Sequence, residues 1–510
     1  MSQIKKGAFL NYVNIFLTNI VGLVLTPFII KKLGTGEYGL YNLIGAFVGY
    51  ISVLDFGLTN AVVRFTAKYR AEGDRKGEEN FLATTLIIYL FIALIISILG
   101  VIGYYNMEEL FGKSLTNNEI GRAKIMYVIL IFNLAISLPG GIFGAICTGY
   151  EHFVYPKSVR ITRYIIRSLM VVAILMFGGK AIALVVLDTL MGISVKFATG
   201  RYVFKKLKIR IKLHKFERAQ VMEIFSYSVW IFVSVLVSQL QWRAGQVVLG
   251  IVTNTTVVAI FAVGVMLGTY YGAFSTAISG VFLPRATKMS VKKASGEELT
   301  SMMIRIGRIS FIVLMYVLCA FALYGRQFVS LWVGDTYHDA YAIALLIMCA
   351  YTLPLVQNFG NSILEAQNKM RFKALLYLGF AIMGTALGAF FAKYYGGVGM
   401  ICGTVIGWII VQVVMNFYYH SVIKLNVFRF LKELSHKMVI CTLIVLAIGF
   451  LIKMIPGEGW LNFFIKGSLY TFIYIIIVFN FGMLKYEKNI FQKEVITVLK
   501  KFKAWRNGIS

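Results

Sequence analysis

Residues 33–79 read LGTGEYGLYNLIGAFVGYISVLDFGLTNAVVRFTAKYRAEGDRKGEE. A glycine-rich loop (Gly34, Gly36, Gly39) leads into an apolar run over 40–63. About 20 apolar residues are enough for a helix to cross the hydrocarbon layer, so this run predicts a membrane span. One carboxylate, Asp55, lies inside it, and Arg64 opens a strongly charged tail at its far end. A charge at membrane depth is costly, so Asp55 requires a partner or a watery cavity.

The pattern repeats along the chain. Of the 510 residues 59% are hydrophobic and 14% charged, whereas a soluble domain carries about 25% charged residues. Apolar runs predict spans near 9–30, 40–63, 81–104, 125–148, 157–177, 181–203, 222–244, 256–282, 307–325, 338–362, 374–392, 397–419, 438–455 and 462–484. This is an all-α polytopic membrane protein of about 14 helices. The first run follows Lys5 and Lys6 like a signal peptide, but it is too long and lacks a small-x-small cleavage site, so it reads as an uncleaved span.

The net charge of +29 could suggest nucleic acid, but the bases sit in short loops between apolar runs. Of the 51 Lys and Arg residues, 38 fall on one side, with the N-terminus, the even-numbered loops and the tail. The positive-inside rule makes that side cytoplasmic, places both termini there and demands an even number of spans. The five cysteines are scattered through apolar runs without CxxC spacing, and the five histidines lie in or beside loops without metal-ligand spacing. No metal or organic cofactor is expected.

Three pieces of the opening carry a resemblance: LGxxEYGLYxL from Leu33, LDFGL from Leu54 and NAVVRFTAKYRAEGD from Asn60. In this order they resemble the start of bacterial Wzx-type O-antigen and capsular polysaccharide flippases. These form the polysaccharide branch of the multidrug/oligosaccharidyl-lipid/polysaccharide exporter (MOP) superfamily. The resemblance implies a MATE-like fold, with two six-helix lobes around a central cavity between spans 1, 2, 7 and 8. It also implies transport, not chemistry.

An internal repeat at an offset of roughly 215–221 residues agrees with a duplicated transporter. FLNYVNIF at 9–16 recurs as IFSYSVWIF at 224–232; Leu138-Pro139 is matched by Leu353-Pro354, each followed by Phe-Gly. The expected organisation is a first lobe over 1–215, a second over 216–420, two additional helices over 421–484 and a basic amphipathic tail over 485–510. The tail and the basic stretch 201–218 read as segments lying on anionic membrane lipids.

Candidate site residues are the polar groups at membrane depth. Asn11, Asn14 and Thr18 share one face of span 1, and Ser234, Ser238 and Gln241 share a face of span 7. Such a stripe is either a packing seam or a cavity wall. On span 5, Arg160, Arg163 and Arg167 recur at steps of three and four, from the cytoplasmic mouth towards the bilayer centre. A guanidinium stays charged and donates in a planar fork, which suits a phosphate or pyrophosphate. Alternatively, Arg160 and Arg163 snorkel to the interface and Arg167 pairs with Asp55 or Asp188. Asp55, Arg64 and Asp188 are candidates for H+ or Na+ coupling or for gating. Arg243 reads as an anchor.

A P-loop is missing, and no predicted outer loop is long enough for a catalytic module. The function these readings favour is translocation of undecaprenyl-pyrophosphate-linked oligosaccharide by alternating access, at the cytoplasmic membrane, beside polysaccharide polymerase machinery. A cation-coupled multidrug exporter of the same fold and a membrane-embedded glycan polymerase or ligase are the alternatives.

Overall fold

A computed structural model describes residues 3–279, 283–367, 369–489 and 491–492. The helices gather into two units, each with its own core. One comprises Met1–Val263 with Arg371–Gly407, the other Gly264–Met370 with Trp408–Ser510. The boundary expected from the repeat, at 215/216, stays a reading of the sequence.

In the first unit the elements are α1 (Gln3–Leu33), α2 (Thr35–Ile51), α3 (Leu58–Glu72), α4 (Arg75–Tyr105), α5 (Met107–Phe111), α6 (Asn117–Gly149), α7 (Val154–Met176), α8 (Ala181–Tyr202) and α9 (Arg218–Val252). α10 (Thr255–Ser279) begins there. In the second unit lie α11 (Leu283–Val291), α12 (Gly296–Val333), α13 (His338–Val356) and α14 (Asn358–Ala366). α15 (Met370–Val422) starts in the first unit and ends in the second; α16 (Val427–Ser435), α17 (Met438–Lys453) and α18 (Gly459–Ile477) follow. Large apolar side chains such as Phe16, Leu90, Phe132, Leu169 and Phe197 stand exposed on these helices. On a soluble protein such a surface would aggregate; on helices this long it is the face that meets lipid.

Twelve of the described helical segments are long and apolar enough to cross a membrane, against about 14 expected. Two features account for the difference. α15 counts once although it turns back at Gly396 (φ 53°, ψ −134°). Its halves then approach so closely that a Cβ on Gly403 would lie 2.1 Å from the Gly388 nitrogen. α7 is 23 residues long, but four cations on it remove it from the apolar class.

Two expected spans are broken. The run over 40–63 is not one helix: a 3-10 turn over Ser52–Asp55 ends α2, and Phe56 (φ 50°) and Gly57 (φ 70°) take left-handed conformations before α3. Asp-Phe-Gly makes the break: the short Asp side chain competes for backbone groups and glycine accepts positive φ. The run over 338–362 is interrupted at Gln357, between α13 and α14. Its repeat counterpart, α6, runs unbroken through Pro139.

The second unit is stapled by Arg308 of α12, fully buried. Its Nε donates to Oε1 of Glu487 at 2.6 Å, and Nη2 donates to Oε2 at 3.2 Å and to the Gly482 carbonyl at 3.0 Å. Nη1 donates to the Glu433 and His436 carbonyls at 2.7 and 3.2 Å. Tyrosines do the same at membrane depth. Tyr324, Tyr470 and Tyr474 donate to the carbonyls of Gly449, Tyr316 and Ile312. In lipid there is no hydrophobic force between helices, so such bonds and close packing hold α12, α17 and α18 together. The amphipathic tail expected over 485–510 lies, from 493 onward, outside the described residues.

Candidate functional site

The polar groups converge in the first unit, where α7 packs against α1 on one side and α8 on the other. The Tyr164 hydroxyl donates to the Thr18 carbonyl at 3.1 Å, and Lys157 Nζ to the Gly7 carbonyl at 2.9 Å. Thr18 itself donates to the Asn14 carbonyl. The α1 stripe is therefore partly a seam against α7; Asn14 and Thr18 are half-buried and Asn11 is exposed.

α7 and α8 run antiparallel, which sets Arg167 opposite Asp188. The guanidinium grips the carboxylate side-on, through one edge: Nε donates to Oδ1 and Nη2 to Oδ2, the latter at 2.9 Å. Tyr41 of α2 adds a third bond, its hydroxyl donating to Oδ2 at 3.1 Å. Of the two partners open in the sequence, Asp188 is the one Arg167 takes. This pair is neutral as a unit.

One turn nearer the basic-loop end the balance changes. Arg163 is half-buried and its Nε has no hydrogen-bond partner. Lys196 of α8 reaches only the carbonyl of Gly192 in its own helix, at 3.4 Å. Arg160 is exposed. Among the described residues none of these three cations forms an ion pair.

Asp55 sits at the break below α2. One carboxylate oxygen, Oδ1, is buried without a partner. The hydroxyls of Tyr89 and Thr59 and the Gly57 N–H face the group, and Thr59 and Tyr89 are 3.2 Å apart. The break is held by α9: Gln239 donates to Ser52 Oγ at 3.4 Å, and Phe232 stacks on Phe56 with ring centroids 4.7 Å apart. Gly57 is required twice over, by its φ and because a Cβ would lie 2.4 Å from Ile231 Cγ2. Arg243, also on α9, donates to the Gly45 carbonyl at 3.1 Å and lies over Gly49, so it ties two helices. Ser234 and Ser238 are exposed, Ser234 bonding within its own helix to the Trp230 carbonyl, and Gln241 is half-buried. Arg64 is exposed, its guanidinium 5.7 Å from the Phe65 ring centroid.

Two residues, Glu37 and Asn133, escaped the sequence reading, and so did the packing role of Gly39. Glu37, in the EYG of the opening motif, is buried; it pairs with Arg122 of α6 and accepts from the Ala181 N–H of α8 at 3.4 Å. Gly39 in the same motif leaves a Cβ no room, only 1.8 Å from the Thr255 carbonyl oxygen. Asn133 of α6 completes the polar cluster near Lys196: Gly192 brings its Oδ1 and Lys196 Nζ within 3.3 and 3.5 Å of one point. The signal for Glu37 was its place in the first turn after Gly34; single amides such as Asn133 carry none.

With twelve segments long and apolar enough to cross a membrane among the described residues, and a row of cations along α7, the chain has the architecture of a multi-pass membrane protein. Residues 4–290, more than half the chain, match the family described as "Polysaccharide biosynthesis protein", and the chain belongs to that family. It is 20% identical over 419 residues to a "Putative O-antigen transporter" of Shigella flexneri, covering 80% of this chain and 94% of that one. It is 23% identical over 522 residues to the "Uncharacterized membrane protein EpsK" of Bacillus subtilis (strain 168), covering 98% of each. The fold is similar to an inward-closed structure of the lipid II flippase MurJ, with TM-score 0.71, 16% identity and coverage of 95% and 99%. It is also similar to an inward-facing MATE-family transporter of the MOP superfamily, with TM-score 0.64, 15% identity and coverage of 82% and 96%. The chain is thus a member of the polysaccharide biosynthesis protein family, with the fold that these transporters share.

Proposed function

We propose that this transporter flips an undecaprenyl-pyrophosphate-linked oligosaccharide repeat unit across the bacterial cytoplasmic membrane, for O-antigen, capsule or exopolysaccharide synthesis. The observation that carries the reading is the cation row of α7 and α8, which only one carboxylate, Asp188, offsets. A membrane interior holds uncompensated cations when an anion is meant to visit them. A cationic drug would be repelled there, which disfavours a multidrug exporter. The family membership and the likeness of fold to a lipid II flippase support the same reading.

In this mechanism the basic loops and both termini face the cytoplasm. Alternating access carries the sugar-diphosphate head across about 30 Å of hydrocarbon while the polyprenyl tail stays in lipid. Asp55, with its unpartnered oxygen at a helix break, is the group to couple the motion to H+ or Na+: broken helices in transporters expose backbone for ion binding.

The test is the leaflet location of lipid-linked oligosaccharide in cells lacking the chain. Accumulation in the inner leaflet, relieved by wild type but not by Asp55→Ala at equal expression, is the expected result. Normal delivery without the chain, in a strain with no second transporter, would overturn the function.

A further inference from the structure

We infer that Arg163, Lys196 and Asn133 form the seat for the diphosphate of the cargo, and that Arg167 is not part of it. The inference rests on the flippase reading and names the groups that hold the head.

Polar groups from three helices come to one level: the antiparallel packing that sets Arg167 against Asp188 sets Arg163, one turn away, against Gly192, beside which lie Lys196 Nζ and Asn133 Oδ1. Arg163 Nε is buried and unbonded. Lys196 Nζ has one long bond, to a carbonyl already engaged in its helix. Asn133 accepts from Ser137 at 3.0 Å through Oδ1, and its amide N–H groups bond to nothing among the described residues. A buried donor left unbonded costs about as much as a lost hydrogen bond, and an acceptor brought to Arg163 Nε would remove that cost.

Two glycines let the cluster form. Gly140 of α6 lies under the Lys196 stem, where a Cβ would come 2.7 Å from Cδ. Gly192 gives room beside the ammonium and the Asn133 amide. Arg163 and Lys196 also act on each other as like charges; an anion between them removes that repulsion. Two cations and an amide suit a diphosphate, whose oxygens accept from several directions while a guanidinium binds in a fork.

Arg167 is different. Its Nε–H and one Nη2–H are engaged by Asp188, which Tyr41 also holds. Its charge is already offset by that carboxylate, whereas Arg163 and Lys196 form no ion pair among the described residues. At 1.5 Å per residue, Arg163 lies about 13 Å from the start of α7 and Lys196 about 9 Å from the end of α8. The seat is about two turns inside the basic mouth, where a head group enters, and the Arg167–Asp188 pair closes its deep end.

Protein in lipid nanodiscs is titrated calorimetrically with farnesyl diphosphate, inorganic pyrophosphate and farnesol. Farnesyl diphosphate binds wild type, with affinity falling as salt rises, and farnesol does not displace it. Arg163→Gln and Lys196→Gln each weaken binding at least about tenfold, the loss of one charged hydrogen bond. Arg163→Lys and Lys196→Arg retain most of it. Pyrophosphate binding as tightly as the prenyl form makes the seat one for the free anion; much weaker binding assigns it to a lipid. An Arg163→Gln/Lys196→Gln protein that melts like wild type and binds farnesyl diphosphate equally well overturns the seat. Flipping by that same variant leaves the transport reading standing; binding by wild type without flipping in cells refutes transport and keeps the seat.

Discussion

Replacing Glu487 with alanine removes the one carboxylate that faces Arg308. Both side chains are out of solvent, with 0% and 2% of their surfaces exposed. The mutation deletes two charged hydrogen bonds and leaves the guanidinium on three carbonyls, those of Glu433, His436 and Gly482. Breaking a buried pair from one side costs about 3–5 kcal/mol, because the remaining charge stays desolvated. Glu487 also accepts from the Leu484 N–H at 2.7 Å and the Tyr486 hydroxyl at 2.8 Å, so the turn after α18 loses its fixing point as well. The loosened part is the packing of α17 and α18 on α12. Cys441 of α17 reports it, since it is a free thiol that is 2% exposed beside Tyr474. In a Cys349→Ser/Cys402→Ser background, which removes the exposed and the half-buried thiols, maleimide labelling of Cys441 in detergent tracks the opened population. Three to five kcal/mol corresponds to labelling faster by on the order of a hundredfold to a few thousandfold. Glu487→Gln, which keeps the shape and one acceptor, is expected to fall between wild type and alanine. Labelling of Glu487→Ala at the wild-type rate would refute the staple.

Asp188→Asn strands the Arg167 charge and is expected to lower the melting temperature more than the Arg167→Gln/Asp188→Asn double change; additive single effects in that double-mutant cycle would deny the pairing. Gly57→Ala places a Cβ at φ 70° and against Ile231, and is expected to cost at least about 1–2 kcal/mol, read as a lower melting temperature. Gly39→Ala meets the Thr255 backbone oxygen at 1.8 Å, with no flexible side chain to move aside, so folded yield by size-exclusion chromatography should collapse. Glu37→Gln frees Arg122 from its ion pair but leaves that arginine 28% exposed, so a smaller loss, about 1–2 kcal/mol, is expected in the same melting assay.

The apolar runs made the helical membrane architecture legible, because 20 apolar residues have few other uses. The cation row on α7 was legible for the same reason: Arg160, Arg163 and Arg167 interrupt an otherwise apolar surface at helical spacing. Which carboxylate Arg167 takes was not, since Asp55 and Asp188 are chemically alike and only the α7–α8 register separates them. The break at Asp55 carried a signal, Asp-Phe-Gly, that the surrounding apolar run outweighed. Lys196 lies near the end of its apolar run, and its neighbours Gly140 and Asn133 come from α6, a relation with no trace in local spacing. Nothing in the spacing of the basic tail marks Glu487. Its partner is 179 residues away in the chain.

That separation has a consequence in time. A chain grows at roughly 5–20 residues per second, so Glu487 leaves the ribosome about 9–36 s after Arg308. For that interval α12 sits in or beside the translocation machinery with a guanidinium whose carboxylate does not yet exist. Arg167 waits only about 1–4 s for Asp188, 21 residues on. The second unit therefore depends on an insertion apparatus that shelters an unpaired arginine until the last helix is made, and the first does not.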